Sequence, residues 1–345
     1  MTSRLVNAAV VVIAGILLAA SATTYPRLAT EHSLACKTCH LNPNGGGMRT
    51  EFGNHSVALN ELTLTSARDL ILPHVNSPRV AKSLLVGFDS RYLVFDDGRV
   101  FRMQTDAFLA FNPFRNFYYH FRFWESGITE NYALMYFSGE KYYAKLGRFY
   151  PAFGLRNVDH TAFNRVRTGH GPNFYLDGFS LGAEVEGVNL VGEAFNPDGL
   201  GVYGLHAFFP AYIAPFGLLA GASWRHSEEI NGSNGDYPHA RAVFGGVSYD
   251  RFTALGELDI VGKSNDTLIT YSSLTGRVIY GLWLVGEYNF FDGDRDLKSG
   301  VEEFVRFSAE FYPMPFALIR PSYTYYLRGP LENEDDFFVQ LHVGY

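Results

Sequence analysis

The residues with the most recognisable chemistry form the run Cys36-Lys37-Thr38-Cys39-His40 near the N-terminus. The 345-residue chain has two cysteines, both in this run, and a histidine directly follows the second. This spacing is typical of c-type haem attachment, in which two thiols bond to the haem vinyl groups and the imidazole ligates the iron. We therefore predict one covalent haem c, held by Cys36 and Cys39, with His40 as an axial ligand. A redox dithiol or part of a metal site is the alternative interpretation.

The second axial ligand of this haem has several candidates, because c-type haem iron commonly takes Met or His at that position. Met48 is near in sequence. His55 and His74 lie further along, where the sequence predicts short helices over 53–62 and 66–72. We predict His55 as the distal ligand, ahead of Met48 and His74. A ligand supplied by the remainder of the chain, or an open iron site, is the alternative.

The first 22 residues predict that the protein leaves the cytoplasm. Arg4 provides a short positive region, residues 5–20 form an apolar stretch, and an Ala-Ser-Ala cleavage site ends at Ala22. We expect the mature chain to begin at Thr23, in a compartment where c-type haem is attached. An N-terminal membrane anchor is the alternative, although the apolar stretch is shorter than the roughly 20 residues of a spanning helix.

From about Lys82 onward the sequence alternates between apolar and polar residues, which is the pattern of strands with two different faces. In 116–124, four Phe and Tyr residues alternate with residues such as Arg122. The repeating segments are close to the length of tilted membrane strands, and aromatic residues cluster at their ends. We predict an all-β fold: a sixteen-stranded antiparallel outer-membrane β-barrel over 82–345, after a small helical haem segment over 23–81. A soluble β-sandwich is the alternative, with shorter strands and a surface rich in Lys and Glu.

A barrel of sixteen strands encloses an aqueous interior. The longest connection, roughly Tyr150–Leu176, is predicted to fold into this lumen. Its basic residues are Arg156, His160, Arg165, Arg167 and His170. The strands add predicted lumen-facing charges, which are Arg102, Arg122, Arg306, Arg320, Asp106, Glu193, Glu257 and Asp259. Because residues 23–81 contain too few apolar positions to build a core around a haem alone, and domains this small are marginal, we predict that they plug the barrel rather than hang below it.

The arrangement resembles a family of outer-membrane cytochrome–porin fusions, including those of iron-oxidising bacteria. The features that carry the resemblance are the signal peptide, the Cys36–His40 run, the following Phe52-Gly53 and the terminal Tyr345. Separately, Gly147–Gly154 looks like the strand end before the third loop of phosphate-selective-type porins.

This resemblance implies a location in the bacterial outer membrane, with the haem segment on the periplasmic side or inside the barrel. It implies electron transfer between periplasmic cytochromes, or another redox partner, and an extracellular donor or acceptor, with ferrous iron as a candidate. The chain would then be an electron carrier or an iron-oxidising oxidoreductase, and we predict no catalytic side chains. Two alternatives are a porin-type transport channel whose haem segment docks or gates, and a haem enzyme such as a peroxidase. The net charge of −7 argues against nucleic acid as a partner.

Overall fold

The computed structural model describes residues 26–71, 77–124, 127–157, 159–170, 174–196, 201–228, 239–262, 267–295 and 300–344. The predicted signal peptide, His74 and Tyr345 lie outside the described residues. No helix within the described residues is long and apolar enough to cross a membrane.

The alternating segments form sixteen antiparallel strands that close into a barrel, as predicted. The first eight are β1 Leu84–Phe95, β2 Val100–Phe114, β3 Phe117–Trp124, β4 Gly127–Phe137, β5 Tyr142–Phe149, β6 Leu176–Val185, β7 Val188–Phe195 and β8 Val202–Ile213. The second eight are β9 Phe216–Ser227, β10 Ala240–Tyr249, β11 Phe252–Val261, β12 Thr267–Ile279, β13 Leu282–Asp292, β14 Val301–Met314, β15 Ala317–Arg328 and β16 Asp335–Gly344.

Closure of the barrel comes from pairing between its first and last strands. Asp89 of β1 lies opposite Gly344 of β16, and Phe95 lies opposite Phe338. A short strand, Arg79–Ala81, precedes the barrel and pairs with the start of β1. Closure satisfies the backbone hydrogen bonds of both edge strands, which an open sheet in lipid could not do.

The two ends of the barrel differ in their connections. At one end, here called the short-turn end, tight turns such as 186–187, 214–215 and 250–251 join successive strands. At the opposite, long-loop end, the connection between β5 and β6 is the longest. Both β1 and β16 have their free ends at the short-turn end, which therefore also receives the N-terminal segment.

The outer face of the barrel is apolar, as a lipid-facing surface requires. Exposed aliphatic residues recur on strands from β5 to β13, at Leu146, Leu181, Leu205, Val243, Leu274 and Leu284. Exposed aromatic residues lie toward the short-turn end at Phe114, Tyr142, Tyr212, Tyr249, Phe252 and Tyr280, and toward the long-loop end at Phe101, Tyr203, Trp224, Tyr323 and Phe337. The two aromatic groups correspond to the girdles found at the two interfaces of membrane barrels.

The N-terminal segment consists of short helices: α1 Pro26–His32, α2 Cys36–Cys39, a π-helix Gly53–Leu62 and α3 Thr65–Ile71. The predicted helix over 53–62 is present with these bounds, and the one predicted over 66–72 begins one residue earlier.

This segment lies inside the barrel, where α1 packs against strands β8–β11. Arg27 of α1 forms a buried ion pair with Glu310 of β14 at 2.6 Å. At Gly217 of β9 the helix is so close that a Cβ would collide with the Thr30 carbonyl. The segment therefore plugs the barrel, held by ion pairs as well as by shape.

Apolar contacts hold the other side of the plug. Leu28, Val57 and Leu62 pack with wall residues in one buried cluster, which includes Trp283 and Tyr312. Burying a large aliphatic or aromatic side chain contributes about 1.5–3 kcal/mol. Burial of the plug residues in this cluster therefore contributes a substantial part of the free energy that holds the segment in the barrel.

The long connection between β5 and β6 folds into the lumen and includes a short helix, α4 Phe163–Val166. Its backbone is bound by the wall: Ala152 N–H donates to Glu193 at 2.8 Å, and Leu155 N–H donates to Glu257 at 2.9 Å. Asp159 accepts a hydrogen bond from Arg306 at 2.5 Å. The lumen therefore holds two inserts, the plug from the short-turn end and this infolded loop from the long-loop end.

Candidate functional site

The Cys-x-x-Cys-His run forms one helical turn with an extended residue after it. The N–H of His40 donates to the carbonyl of Cys36 at 3.0 Å, and His40 pairs with Arg49 in an isolated β-bridge. Residues three apart on a helix lie on the same side, so the thiols of Cys36 and Cys39 share one face of this turn. Both thiols are free, and Cys39 and His40 are buried.

Cys36, Cys39 and His40 line one cavity inside the barrel. Three parts of the chain form its walls. The plug contributes residues such as Leu28 and Val57, the infolded loop contributes Gly154, Leu155 and Arg156, and the barrel wall contributes His206, Phe208, Leu219 and Phe244.

The lining of this cavity suits a haem, which has a flat apolar ring and two negatively charged propionates. Most lining side chains are apolar, while Arg156 brings a guanidinium to the cavity. Among the described residues, no carboxylate forms an ion pair with Arg156, which hydrogen bonds to the Gly45 carbonyl and packs on the Tyr150 ring at 4.6 Å. A Cβ at Gly46 would collide with this guanidinium. A propionate would give Arg156 an ion-pair partner at close range.

The protonation states at the run also suit haem attachment. Burial, followed by the nearby Arg156 and Arg49, lowers the pKa of His40 to about 3, so its imidazole is neutral as iron ligation requires. Burial raises the pKa of both Cys36 and Cys39 to about 11. A redox dithiol would need lowered thiol pKa values, so the environment disfavours that alternative.

The distal-ligand candidates near the run do not reach this cavity. His55 is exposed on the π-helix and does not line the cavity. Met48 is buried in a separate cluster with Leu41, Leu85 and Phe108. His74 lies outside the described residues. Our prediction of His55 therefore has no support from its position in the fold.

The predicted lumen charges face inward with one exception. The buried ones are Arg122, Arg306, Arg320, Asp106, Glu193, Glu257 and Asp259. Arg102 is exposed, which corrects our prediction. Gln104 of β2 lies opposite Arg91 of β1, but Arg102 lies opposite Tyr92, so Met103 is an extra residue in β2. This bulge reverses the alternation of inward and outward side chains, and Arg102 therefore does not share the inward face of Asp106.

Of the five basic residues predicted in the infolded loop, Arg156 lines the cavity, and the other four bind elsewhere. Arg165 donates to the carbonyl of His170, and Arg167 pairs with Glu302 at 2.6 Å. His160 lies 3.3 Å from Arg91, and the His170 ring lies against the Arg225 guanidinium at 3.0 Å. These four hold the loop to itself and to the barrel wall.

Sequence reasoning missed the wall of the cavity. His206, Phe208, Leu219 and Phe244 are spaced far from the Cys-x-x-Cys-His run, and no local motif marks them. Their alternation within strands does show that they face inward. It does not show which part of the plug they meet.

Solved structures similar to this chain are porins of the outer membrane. Similarity to OprB of Pseudomonas putida has a TM-score of 0.57 at 8% identity, covering 83% of this chain and 100% of that chain. OmpT of Vibrio cholerae gives 0.55 at 9% identity, covering 77% and 99%. OmpF of Salmonella typhi, in complex with daunomycin, gives 0.52 at 12% identity, covering 76% and 97%. No protein-family model and no curated protein matches the sequence. At this level of identity the similarity establishes the fold, a porin-like outer-membrane β-barrel.

Proposed function

We propose that this protein carries electrons across the bacterial outer membrane through one covalent haem c. The observation that carries the proposal is the position of Cys36, Cys39 and His40 on a buried cavity between plug, loop and wall. Short turns of membrane barrels face the periplasm, so the short-turn end would meet periplasmic cytochromes or another redox partner. The long-loop end would meet an extracellular donor or acceptor, with ferrous iron as one candidate.

In this proposal the chain's own residues bind and orient the cofactor. Cys36 and Cys39 would hold it through thioether bonds, His40 would supply a neutral imidazole nitrogen, and Arg156 would pair with a propionate. The bound haem supplies a site that accepts and releases one electron. Leu155 and Phe244, which line the cavity, would limit contact between water and the haem and so tune its reduction potential.

The filled lumen supports electron transfer over free diffusion of solutes. Glu287 and Arg306 point inward from the wall, yet only 6% and 4% of their surfaces are exposed. Side chains lining a water-filled channel would be far more exposed. An electron, unlike a solute, can pass through a packed lumen if redox-active and aromatic groups lie close together.

A group of closely spaced rings extends from the cavity to the long-loop end. Arg156, which lines the cavity, packs on Tyr150, and the Tyr150 ring lies 6.0 Å from that of Tyr175, just before β6. His170 stacks on Phe153 at 4.5 Å within the same loop. These rings would shorten each step between the buried haem and an extracellular partner.

The second candidate is a porin-type channel in which the haem segment docks or gates. The similarity to OprB and OmpF favours this candidate, because it extends over most of the chain. It requires the plug or the infolded loop to move, since both occupy the lumen.

Reconstitution into liposomes distinguishes the two functions. The purified, haem-loaded protein is inserted into vesicles that contain a redox dye, and ferrous iron is added outside. If the protein transfers electrons, the dye inside is reduced, and one ferric ion forms outside for each electron that the dye accepts. The Cys36→Ala and Cys39→Ala double variant, which lacks the attachment sites, is the matched control, and heat-dependent migration in detergent gels checks that it folds into the barrel.

Dye reduction that disappears in the double variant supports the electron-transfer function. If the dye stays oxidised with ferrous iron and also with a chemical donor such as dithionite, the proposal is wrong. Swelling of the same vesicles in small sugars would then favour the channel. Haem staining of the denatured protein after electrophoresis tests the cofactor separately.

A further inference from the structure

We propose that His206, on the barrel wall, supplies the distal nitrogen ligand to the haem iron. This inference rests on the proposed function, because it assumes that haem c occupies the cavity. His206 lies on β8 and faces inward, where 9% of its surface is exposed. It lines the same cavity as His40, from the wall instead of the plug.

The lining of the cavity leaves few other candidates among the described residues. Besides His40, the histidines that line it are His32 and His206, and no methionine does. The Nε2 atom of His32 is already paired with Glu61 at 3.6 Å. A ring nitrogen that donates its proton to a carboxylate has no lone pair to give to iron, whereas a ring nitrogen without a proton does.

The surroundings of His206 match those of a ligating histidine. Its Nδ1 lies 2.8 Å from the hydroxyl of Ser223, the residue directly opposite on β9. Ligating histidines almost always donate the second ring N–H to an oxygen atom, which orients the ring and fixes the tautomer. With Nδ1–H donating to Ser223, the lone pair of His206 Nε2 is free to bind iron.

Packing and hydrogen bonding further fix the ring. His206 stacks on Phe244 with centroids 5.5 Å apart and an angle of 14° between the planes, and it lies 5.5 Å from Phe208. Ser223 is itself held, because it accepts the Gly154 N–H of the infolded loop at 2.9 Å. The loop, the wall and the ligand are thus connected at one hydroxyl.

This assignment gives the barrel a direct role in the redox site. His40 belongs to the plug and His206 to the wall, so iron bound by both would join the two. The bond is a donation of the Nε2 lone pair, and no electron is transferred in forming it. The plug would be held by the metal as well as by its ion pairs and apolar contacts.

The test is optical spectroscopy of the haem-loaded protein in detergent, with His206→Ala and His206→Met as variants. Wild type is expected to show six-coordinate, low-spin haem that does not bind carbon monoxide when reduced. His206→Ala should become high-spin and bind carbon monoxide, and added imidazole should restore the low-spin spectrum. His206→Met should keep a sixth ligand and raise the reduction potential, since Met/His ligation gives higher potentials.

His120 provides the matched control. It is also a buried, inward-facing histidine of the wall, but it does not line the cavity. His120→Ala and His55→Ala should leave the spectrum and the potential unchanged. Heat-dependent migration in detergent gels checks that each variant retains a folded barrel.

The outcomes separate this inference from the proposed function. Covalent haem with an unchanged low-spin spectrum in His206→Ala would overturn the ligand assignment and leave the proposed function intact. High-spin, carbon monoxide-binding haem in wild type would do the same. If wild type carries no covalent haem, the proposed function fails, and the ligand assignment fails with it.

Discussion

Asp159 fastens the infolded loop to the barrel wall, and replacing it with asparagine should release that loop. Its buried carboxylate lies 2.5 Å from Arg306 and 3.4 Å from Arg320, and it also accepts hydrogen bonds from Thr161. Burial acts to raise its pKa, but the two guanidinium groups hold the pKa of Asp159 well below its usual value. The carboxylate is therefore charged at neutral pH.

The Asp159→Asn substitution leaves one buried guanidinium without its anion. Arg320 retains Glu287 at 2.6 Å, whereas Asp159 is the only carboxylate that pairs with Arg306 among the described residues. Removing one partner of a buried ion pair costs about 3–5 kcal/mol. Since about 1.4 kcal/mol corresponds to a factor of ten, local opening of the loop should become roughly 150-fold to several thousand-fold more frequent.

Hydrogen exchange measured by mass spectrometry in detergent is the assay. Loop amides that are bound to the wall, including those of Leu155 and Phe163, should lose protection by that factor. Amides of the barrel strands should not change. The matched control is Glu302→Gln, which breaks the partly exposed pair of the same loop with Arg167 and should cost at most about 1 kcal/mol. Equal protection in Asp159→Asn and wild type would refute the assignment of Asp159 as the fastening residue.

Three further predictions concern the barrel, the plug and pH. The unheated protein should migrate faster than the boiled protein in detergent gels, and identical migration would contradict a closed barrel. Gly217→Val should push α1 from the wall through a collision with Thr30, seen as faster proteolysis of the plug, whereas Gly192→Ala, which meets only ordinary contacts, should not. The pKa of His32 is raised by Glu61, so this pair stabilises α1 below about pH 6.5 and is lost as pH rises through the higher folded value. Protection of α1 amides, corrected for intrinsic exchange, should therefore fall as the pH rises through the folded pKa of His32, and His32→Gln should remove this dependence.

The sequence by itself determined the features that depend on neighbouring residues. A strand repeats every two residues, so alternation identified the sixteen strands and which of their side chains face inward. The same local logic located a short helix over 53–62, though not its π-helical form, and the Cys-x-x-Cys-His run. Where local geometry was irregular the logic failed, as at Arg102, because a register shift reverses the alternation without any mark in the sequence.

Only the tertiary structure decided what these inward-facing residues meet. Closing the barrel around the plug brings His206 and Phe244 to the same cavity as His40, although all three are far apart along the chain. The tertiary structure also places Arg156, alone among the five basic residues predicted in the infolded loop, at this cavity. The physical reason is that side-chain periodicity and secondary-structure propensity depend on a few neighbouring residues. The position of the plug along the barrel axis, and its rotation about that axis, instead depend on packing and ion pairs with many strands at once. The sequence could therefore predict a haem and a lumen, while the fold decided which wall of the lumen the haem run would face.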